Sequence, residues 1–262
     1  MKTVIAHYDR AIESPGANDN SSSVISLMNF AIRLNKMQGV HNVRIFFTDG
    51  EELEDISEKP DNAQLDEGES DTESPLLGKM GSFGLAALFK KLGIKNDDVY
   101  VFDCTGRGTI PVLAKTVLPV KTPPAFAAQF FELEKRAKTI ISSVSEHFFT
   151  LPVPYSDNAG FIVCRIPAVL ITMLPEDEVS KYANNLMQYN ELKDFVTRHK
   201  IDFLEQQNED QRILKEFEIR SMIPATWKLF HTDKDSVESL TSESFAITGR
   251  ILDAIAASKA MA

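Results

Sequence analysis

The sequence contains only two cysteines, Cys104 and Cys164, in 262 residues. Small secreted domains that depend on disulfides carry many cysteines, so no disulfide framework is indicated, although one bridge between these two stays open. The chain is long enough to bury a substantial hydrophobic core. Its composition, with 43% hydrophobic and 25% charged residues, is ordinary for a soluble globular protein. We therefore expect a single domain over residues 1–262.

The sequence also lacks any cluster of lysine and arginine, and its formal net charge is −10. Nucleic-acid-binding proteins present a basic patch to phosphates, so the composition argues against a nucleic-acid partner. No hydrophobic run approaches the length of a membrane span, which argues against a membrane protein. The opening residues 1–7 are too few and too polar for a signal peptide, so we expect a cytoplasmic protein. The composition does not predict the oligomeric state.

An apolar run that ends in two adjacent carboxylates is the feature around which the other motifs can be arranged. Residues 43–47 are apolar and rich in β-forming residues, which predicts a buried strand. Gly50 breaks the run, so Glu51 and Glu52 should lie at the carboxyl end of this strand, where open α/β sheets bind their ligands. One glutamate could then bind a metal ion while the other transfers protons. A solvated surface pair is the alternative.

A histidine and an aspartate follow the first predicted strand, over residues 3–6. His7 and Asp9 are two residues apart, so the alternation of a strand places both on the same side. Asp9 could then accept the second ring N–H of His7, the usual arrangement around a metal-binding imidazole. A surface histidine followed by an aspartate at a turn is the alternative.

Three more candidate residues lie at the ends of predicted elements. Asp19 precedes the helical pattern of residues 24–34 and is either its N-cap or a carboxylate directed into a site. Asp103 follows the predicted strand over residues 99–102, where a simple turn aspartate is an equally good interpretation. We also expect His231 at the end of a strand.

The remaining patterns alternate helices with strands. In chain order they predict helix 81–91, helix 124–145, strand 148–153, strand 166–173 and helix 237–257. Two segments interrupt the alternation: an acidic loop at 54–75, and a polar helical insertion at about 176–222 that could cover a site as a lid. The alternation predicts an α/β fold, a twisted and mostly parallel central sheet with helices on both faces.

In such a sheet the carboxyl ends of the parallel strands meet at one edge, which would bring two imidazoles and four carboxylates together. They are His7, Asp19, Glu51, Glu52, Asp103 and His231. Mixed histidine and carboxylate ligation suits zinc, with manganese or cobalt as alternatives. These groups exceed what one zinc ion needs, but they fit two ions that share a bridging carboxylate.

Taken together, these motifs resemble those of the co-catalytic di-zinc aminopeptidases, zinc exopeptidases of the bacterial leucyl aminopeptidase type with a phosphorylase/hydrolase-like α/β fold. The resemblance covers nearly the whole chain in order and approximate spacing. Its motifs are His7-Tyr8-Asp9, Gly16-Ala17-Asn18-Asp19, Asp49-Gly50-Glu51-Glu52, Gly81-Ser82, Phe102-Asp103, Ser156-Asp157, Pro167-Ala168-Val169 and Phe230-His231-Thr232.

The resemblance implies a zinc-dependent aminopeptidase that acts on peptides with a free N-terminus. It implies two zinc ions and five ligands: His7 and Asp103 for one ion, Glu52 and His231 for the other, and Asp19 as the bridge. Glu51 would be the general base and Asp9 the partner of His7. Asp235 lies four residues beyond His231 and could brace that loop, but we expect it to cap the final helix.

Two other functions stay open. Glutaminyl-peptide cyclotransferases, acyltransferases with a single zinc ion on the same scaffold, share the His-Tyr-Asp and Asp-Gly-Glu-Glu runs. They typically have a tryptophan where this chain has Phe230, and an Asp-Asp-His-x-Pro-Phe-like loop where it reads Ser-Asp-Asn-Ala-Gly-Phe over residues 156–161. These differences favour the aminopeptidase. The second alternative is a degenerate binding module, which would predict missing ligands, whereas all the ligand positions are filled.

Overall fold

The centre of the structure, a computed structural model of the chain, is one six-stranded sheet. The structure describes residues 1–37, 39, 41–52, 81–94, 96–118, 121–198 and 217–259. The strands are β1 (Lys2–His7), β2 (Val43–Thr48), β3 (Asp98–Phe102), β4 (Ile110–Ala114), β5 (Phe149–Leu151) and β6 (Ala168–Leu174). They lie side by side in the order β2-β1-β3-β6-β4-β5. Each neighbouring pair is parallel except β4 with β6, which are antiparallel.

Helices flank the sheet. They are α1 (Ser22–Lys36), α2 (Gly81–Lys91), α3 (Pro124–Ser142), α4 (Asn158–Val163), α5 (Glu176–Gln188), α6 (Asn190–Arg198) and α7 (Ser242–Ala257). Residues 217–222 are also helical. Among the described helices, none combines the length and the hydrophobicity that a membrane span requires.

Side chains that alternate along the interior strands build a hydrophobic core on each face of the sheet. On β1, Ile5 belongs to one core, whereas Val4 and Ala6 belong to the other. Helices α1, α3 and α7 contribute to the core that contains Val4, and helices α2, α4, α5 and α6 contribute to the core that contains Ile5. The predicted α/β fold, with a mostly parallel sheet and helices on both faces, is therefore confirmed.

One strand of the sheet was not expected from the sequence. Strand β4 is short, contains Pro111 and forms, with β6, the one antiparallel pair of the described sheet. Proline inside an apolar run normally argues against an interior strand, because it cannot donate to a ladder hydrogen bond. The run is fully buried between β6 and β5, so burial of its apolar side chains outweighs the loss of one donor.

The segment before the last helix also differs from the prediction. Residues 227–230 form no strand: Thr226–Lys228 is a 3-10 turn, and His231 follows it in a loop. The physical reason is that Trp227 packs edge-on against Tyr182 of α5, with the ring centroids 4.9 Å apart, so its apolar side chain is buried against a helix. The last helix begins at Ser242 instead of residue 237, after a separate 3-10 turn.

Of the two segments predicted to interrupt the alternation, the structure describes only part of the helical one. Residues 176–188, 190–198 and 217–222 are helical, and that they form an insertion at about 176–222 stays a prediction. The acidic loop at 54–75 and residues 199–216 lie outside the described residues. The role of the insertion as a lid stays a prediction.

The start of α2 is packed directly against the end of β2. The Gly81 N–H donates to the main-chain oxygen of Asp49 at 2.8 Å. A Cβ atom on Gly81 would lie 2.6 Å from that oxygen and 2.7 Å from Asp49 Oδ1, closer than real Cβ contacts. Only glycine therefore fits this approach, which holds Asp49 in place just before the two glutamates.

We predict that Gly81→Ala lowers the free energy of unfolding by about 1–3 kcal/mol, because the added methyl group displaces Asp49. Gly84→Ala, in the same helix, meets nothing within 4 Å. It should raise the free energy of unfolding by up to about 1 kcal/mol, because alanine is the better helix former. Urea unfolding of both variants is the measurement. Equal effects of the two substitutions would contradict the packing described here.

Candidate metal centre

Two histidines and their carboxylate neighbours meet at the carboxyl edge of the sheet. His7 Nε2 lies 3.3 Å from Asp19 Oδ1 and 3.4 Å from Asp103 Oδ1. His231 Nε2 lies 2.9 Å from Glu52 Oε2 and 3.8 Å from Asp19 Oδ2. Asp19 therefore faces both histidines, with one carboxylate oxygen directed to each.

Potential ligand atoms form three overlapping groups, in each of which the atoms lie within 4.8 Å of one another. The groups are His7 with Asp19 and Asp103, His7 with Glu51 and Glu52, and Asp19 with Glu52 and His231. The structure thus brings together all six residues that the sequence placed at this edge.

Strand register explains how His7 and the two glutamates reach the same place. β1 and β2 are parallel, with His7 opposite Thr48, so both strands end at the same edge. Gly50 then turns the chain with a φ of 69°, a conformation that glycine adopts without steric cost. The Glu52 N–H donates to Asp9 Oδ2 at 3.0 Å, while Asp9 Oδ1 lies 3.4 Å from His7 Nδ1. Asp9 therefore lies between the two strand ends, as the His-x-Asp spacing predicts.

Asp19 lies in a kinked turn, Ala17–Ser21, that leads into α1, and its φ of −107° and ψ of 89° are not helical. The first turn of α1 has no side-chain cap, so the N-cap interpretation of Asp19 is wrong. The turn is held instead by Asp235, whose Oδ1 and Oδ2 accept the N–H groups of Asn18 at 2.8 Å and Asp19 at 3.0 Å. The expectation that Asp235 caps the final helix is also wrong, because that helix begins seven residues later, at Ser242, preceded by Thr241.

Asp103 is buried at the end of β3 beside Cys104. The Cys104 thiol donates to Asp103 Oδ1 at 3.1 Å, and the Cys104 N–H donates to Asn20 Oδ1 at 3.1 Å. Cys104 has a φ of 53°, a left-handed conformation that is uncommon outside glycine. Cys104 and Cys164 are both free, so no disulfide joins them.

Burial and mutual repulsion perturb the acidic groups. Burial raises the pKa of Asp19 to about 7, with the charges of Asp103 and Glu52 adding to the rise. Burial likewise raises the pKa of Glu51 well above its usual value. For Asp103, burial works in the same direction, but the neighbouring His7 outweighs it and holds the pKa below its usual value. Several carboxylates therefore share a space where they cannot all be charged without a compensating cation.

The surroundings of the His7 ring indicate whether these residues suit a metal ion. The ring has no exposed surface, and neither ring nitrogen has a hydrogen-bond partner among the described residues. Burial lowers the pKa of His7, but the carboxylates of Asp103, Asp19 and Asp9 raise it well above its usual value. Buried polar atoms without partners are rare, and an imidazole that faces two carboxylate oxygens is a donor set that suits zinc. The residues fit a divalent metal ion.

The comparisons with known proteins agree with this geometry. Residues 2–256 match the profile of peptidase family M28. The chain belongs to this family. The resemblance stated from the sequence motifs is thereby confirmed. No curated protein sequence matches the chain.

Solved structures share the fold of this M28 member at low sequence identity. The LapA aminopeptidase of Legionella pneumophila is 15% identical, with a TM-score of 0.56, over 98% of this chain and 49% of that chain. The zinc aminopeptidase BSAP of Bacillus subtilis is 15% identical, with a TM-score of 0.52, over 97% and 44%. The glutaminyl cyclase of Tannerella forsythia is 17% identical, with a TM-score of 0.53, over 98% and 73%. The chain spans about half the length of these two aminopeptidases.

One buried carboxylate near the centre received no role from the sequence. Asp157 lies at the start of α4 without exposed surface, and its Oδ2 accepts a hydrogen bond from the Thr48 hydroxyl at 2.5 Å. It therefore joins the end of β2 to α4. The Ser156-Asp157 pair belonged to the family motifs, but no local pattern indicated that it would reach a residue more than a hundred positions away.

We predict that Asp9→Ala weakens metal binding by about 10–100-fold, because the Glu52 N–H loses its acceptor and the His7 ring loses the carboxylate 3.4 Å from its Nδ1. Calorimetric titration of the metal-free protein with zinc is the measurement. Glu13→Gln removes an exposed carboxylate from the same loop and serves as the control, which should bind zinc like the parent. Unchanged affinity of the Asp9→Ala variant would show that Asp9 does not orient the centre.

Proposed function

We propose that the chain is a zinc-dependent aminopeptidase that hydrolyses N-terminal residues from peptides and uses two zinc ions. The observation that carries the proposal is the position of Asp19, whose two carboxylate oxygens face two different histidines. Membership of family M28 supports a metal-dependent hydrolase acting on peptides. The fold shared with BSAP, a zinc aminopeptidase, supports the choice of metal and of reaction.

Five residues would hold the metal ions. His7 and Asp103 would bind one ion, Glu52 and His231 would bind the other, and Asp19 would bridge the two. Bound zinc supplies a Lewis acid, which lowers the pKa of a water molecule and polarises the scissile carbonyl group. Positive charge there also offsets the repulsion among the buried carboxylates.

Glu51 would be the general base. Its carboxylate lies within 4.8 Å of His7 and Glu52, next to the proposed ligands but outside the set of five. Burial raises its pKa well above the usual value, which favours a group that can both accept and return a proton. Glu51 would accept a proton from the attacking water and donate it to the nitrogen of the leaving amine, so the peptide bond is cleaved with no net change in Glu51.

The excess of carboxylates over basic groups at this edge favours a substrate with a positive charge near the scissile bond. The α-ammonium of an unblocked peptide has that charge, and it belongs to the same residue as the carbonyl group of the first peptide bond. A carboxylate of the centre could therefore bind the N-terminus and direct cleavage to the first bond, which is the specificity of an aminopeptidase.

A glutaminyl-peptide cyclotransferase with a single zinc ion is the second candidate. It is favoured by the matched glutaminyl cyclase, of which this chain covers 73%. Against it, the residue before His231 is Phe230 where such enzymes typically have tryptophan, and the structure presents a second group of ligand atoms around His231. We also propose that residues 1–262 act as one peptidase domain, and the cytoplasmic location stays a prediction.

We predict that Glu51→Gln lowers kcat on aminoacyl-p-nitroanilides by about 10²–10⁴-fold, because glutamine cannot accept the proton. The variant should still bind zinc, since Glu51 is outside the proposed ligand set. Glu243→Gln, an exposed position at the start of α7, is the control. Full activity of the Glu51→Gln variant would contradict the role of Glu51 as the general base. Failure of the parent chain to bind zinc or to cleave these substrates would favour a binding module that has lost the chemistry.

A peptide with N-terminal glutamine distinguishes the two candidate reactions. We expect release of free glutamine without ammonia, because water attacks the first peptide bond. Ammonia together with a pyroglutamyl peptide would instead identify the cyclotransferase. The N-acetylated peptide is the control and should not be cleaved, since it has no α-ammonium group.

A further inference from the structure

Asp235 is a buried carboxylate that receives three hydrogen bonds from one short segment. Its main-chain oxygen accepts the Ala17 N–H at 3.0 Å, and its two carboxylate oxygens accept the N–H groups of Asn18 and Asp19. It has no exposed surface. Hydrogen bonds to a buried charged acceptor are among the stronger ones in proteins, so this contact fixes the backbone of the segment that contains Asp19.

The hydrogen bonds of Asp235 also connect two parts of the candidate metal centre. Asp235 lies four residues beyond His231, in the same loop, so its carboxylate joins the His231 loop to the Asp19 turn. Asp19 Oδ1 is 3.3 Å from His7 Nε2, and Asp19 Oδ2 is 3.8 Å from His231 Nε2. The distance between the His7 ring and the His231 ring therefore depends on the hydrogen bonds of Asp235.

The two halves of the centre differ in how firmly their histidines are held. His7 belongs to β1, an interior strand, and its side chain is 0% exposed. The side chain of His231 is 53% exposed and lies on a loop outside the sheet. That loop is also anchored at its far end, where Arg107 donates to the Ser239 main-chain oxygen at 2.9 Å. Asp235 is the anchor nearer to His231.

We propose that Asp235 is a positioning residue that sets the geometry of the Glu52–His231 half relative to the His7–Asp103 half. This inference rests on the proposed function, because it concerns how two metal ions are held. Loss of the Asp235 carboxylate releases the His231 loop from the Asp19 turn. The Glu52–His231 half then binds its metal ion more weakly. The half that contains His7 keeps its affinity for metal, because the strands hold His7 in place.

Titration of the metal-free chain with Co²⁺ tests the proposal, with the visible absorption of the bound ion and the metal content as readouts. In Asp235→Asn, one oxygen can still accept a hydrogen bond, but the amide NH₂ opposes a main-chain N–H group. Asp233→Asn is the matched control, because Asp233 is exposed in the same loop. We expect two cobalt ions per chain for the parent and the control. We expect one tightly bound ion for Asp235→Asn, with the second bound at least about 10-fold more weakly and with an altered spectrum.

Thermal unfolding of the metal-free proteins separates positioning from folding. The inference is overturned if Asp235→Asn binds both ions with the parent's affinities and spectrum, or if both ions are weakened equally as the protein loses stability. Asp235→Ser, which removes both carboxylate oxygens with a smaller side chain, should repeat the selective loss. If neither variant folds, the residue is structural and the inference is wrong. Absence of cobalt binding by the parent would contradict the proposed function itself, and this inference with it.

Discussion

The crowding of carboxylates around one buried histidine is the constraint on which the rest of the site depends. Asp19 and Asp103 approach the same ring nitrogen of His7, and Glu51 lies half-buried beside them. Burial raises the pKa of Asp19 and of Glu51, which is the response of acids that lack a counter-charge. A divalent cation would remove the need for those protons. The same arrangement that would destabilise an empty site therefore favours a metal-bound one.

The fold supports this arrangement with both regular and irregular elements. Parallel strands bring His7 and Asp103 to one edge, and Glu52 follows β2 after the Gly50 turn, where its N–H donates to Asp9. Asp19 and His231 come from a turn and a loop, which strand pairing cannot fix. Hydrogen bonds to Asp235 take over that task, so a single buried side chain connects the two irregular parts.

Local sequence patterns predicted most helices and strands. They missed the features that depend on contacts between residues far apart in the chain. The strand that ends at His7 was predicted from an apolar, β-branched run, and the helix over residues 81–91 from the segment that opens with Gly81; both are present. Strand β4 was missed because Pro111 argues against an interior strand. Burial between two strands outweighs the missing hydrogen-bond donor. The hydrogen bonds of Asp235 to the Asp19 turn could not be predicted, since these partners lie more than two hundred residues earlier in the chain. His7, Glu52 and Asp103 were expected near one another because each follows a predicted strand, whereas His231 lies in a loop and not at a strand end. The roles of these residues stay predictions.

Anomalous scattering at the zinc absorption edge from crystals of the zinc-loaded protein tests the central claim most directly. We predict two peaks on either side of the Asp19 carboxylate, one near His7 and Asp103 and the other near Glu52 and His231. A single peak, or peaks away from Asp19, would contradict the two-ion centre.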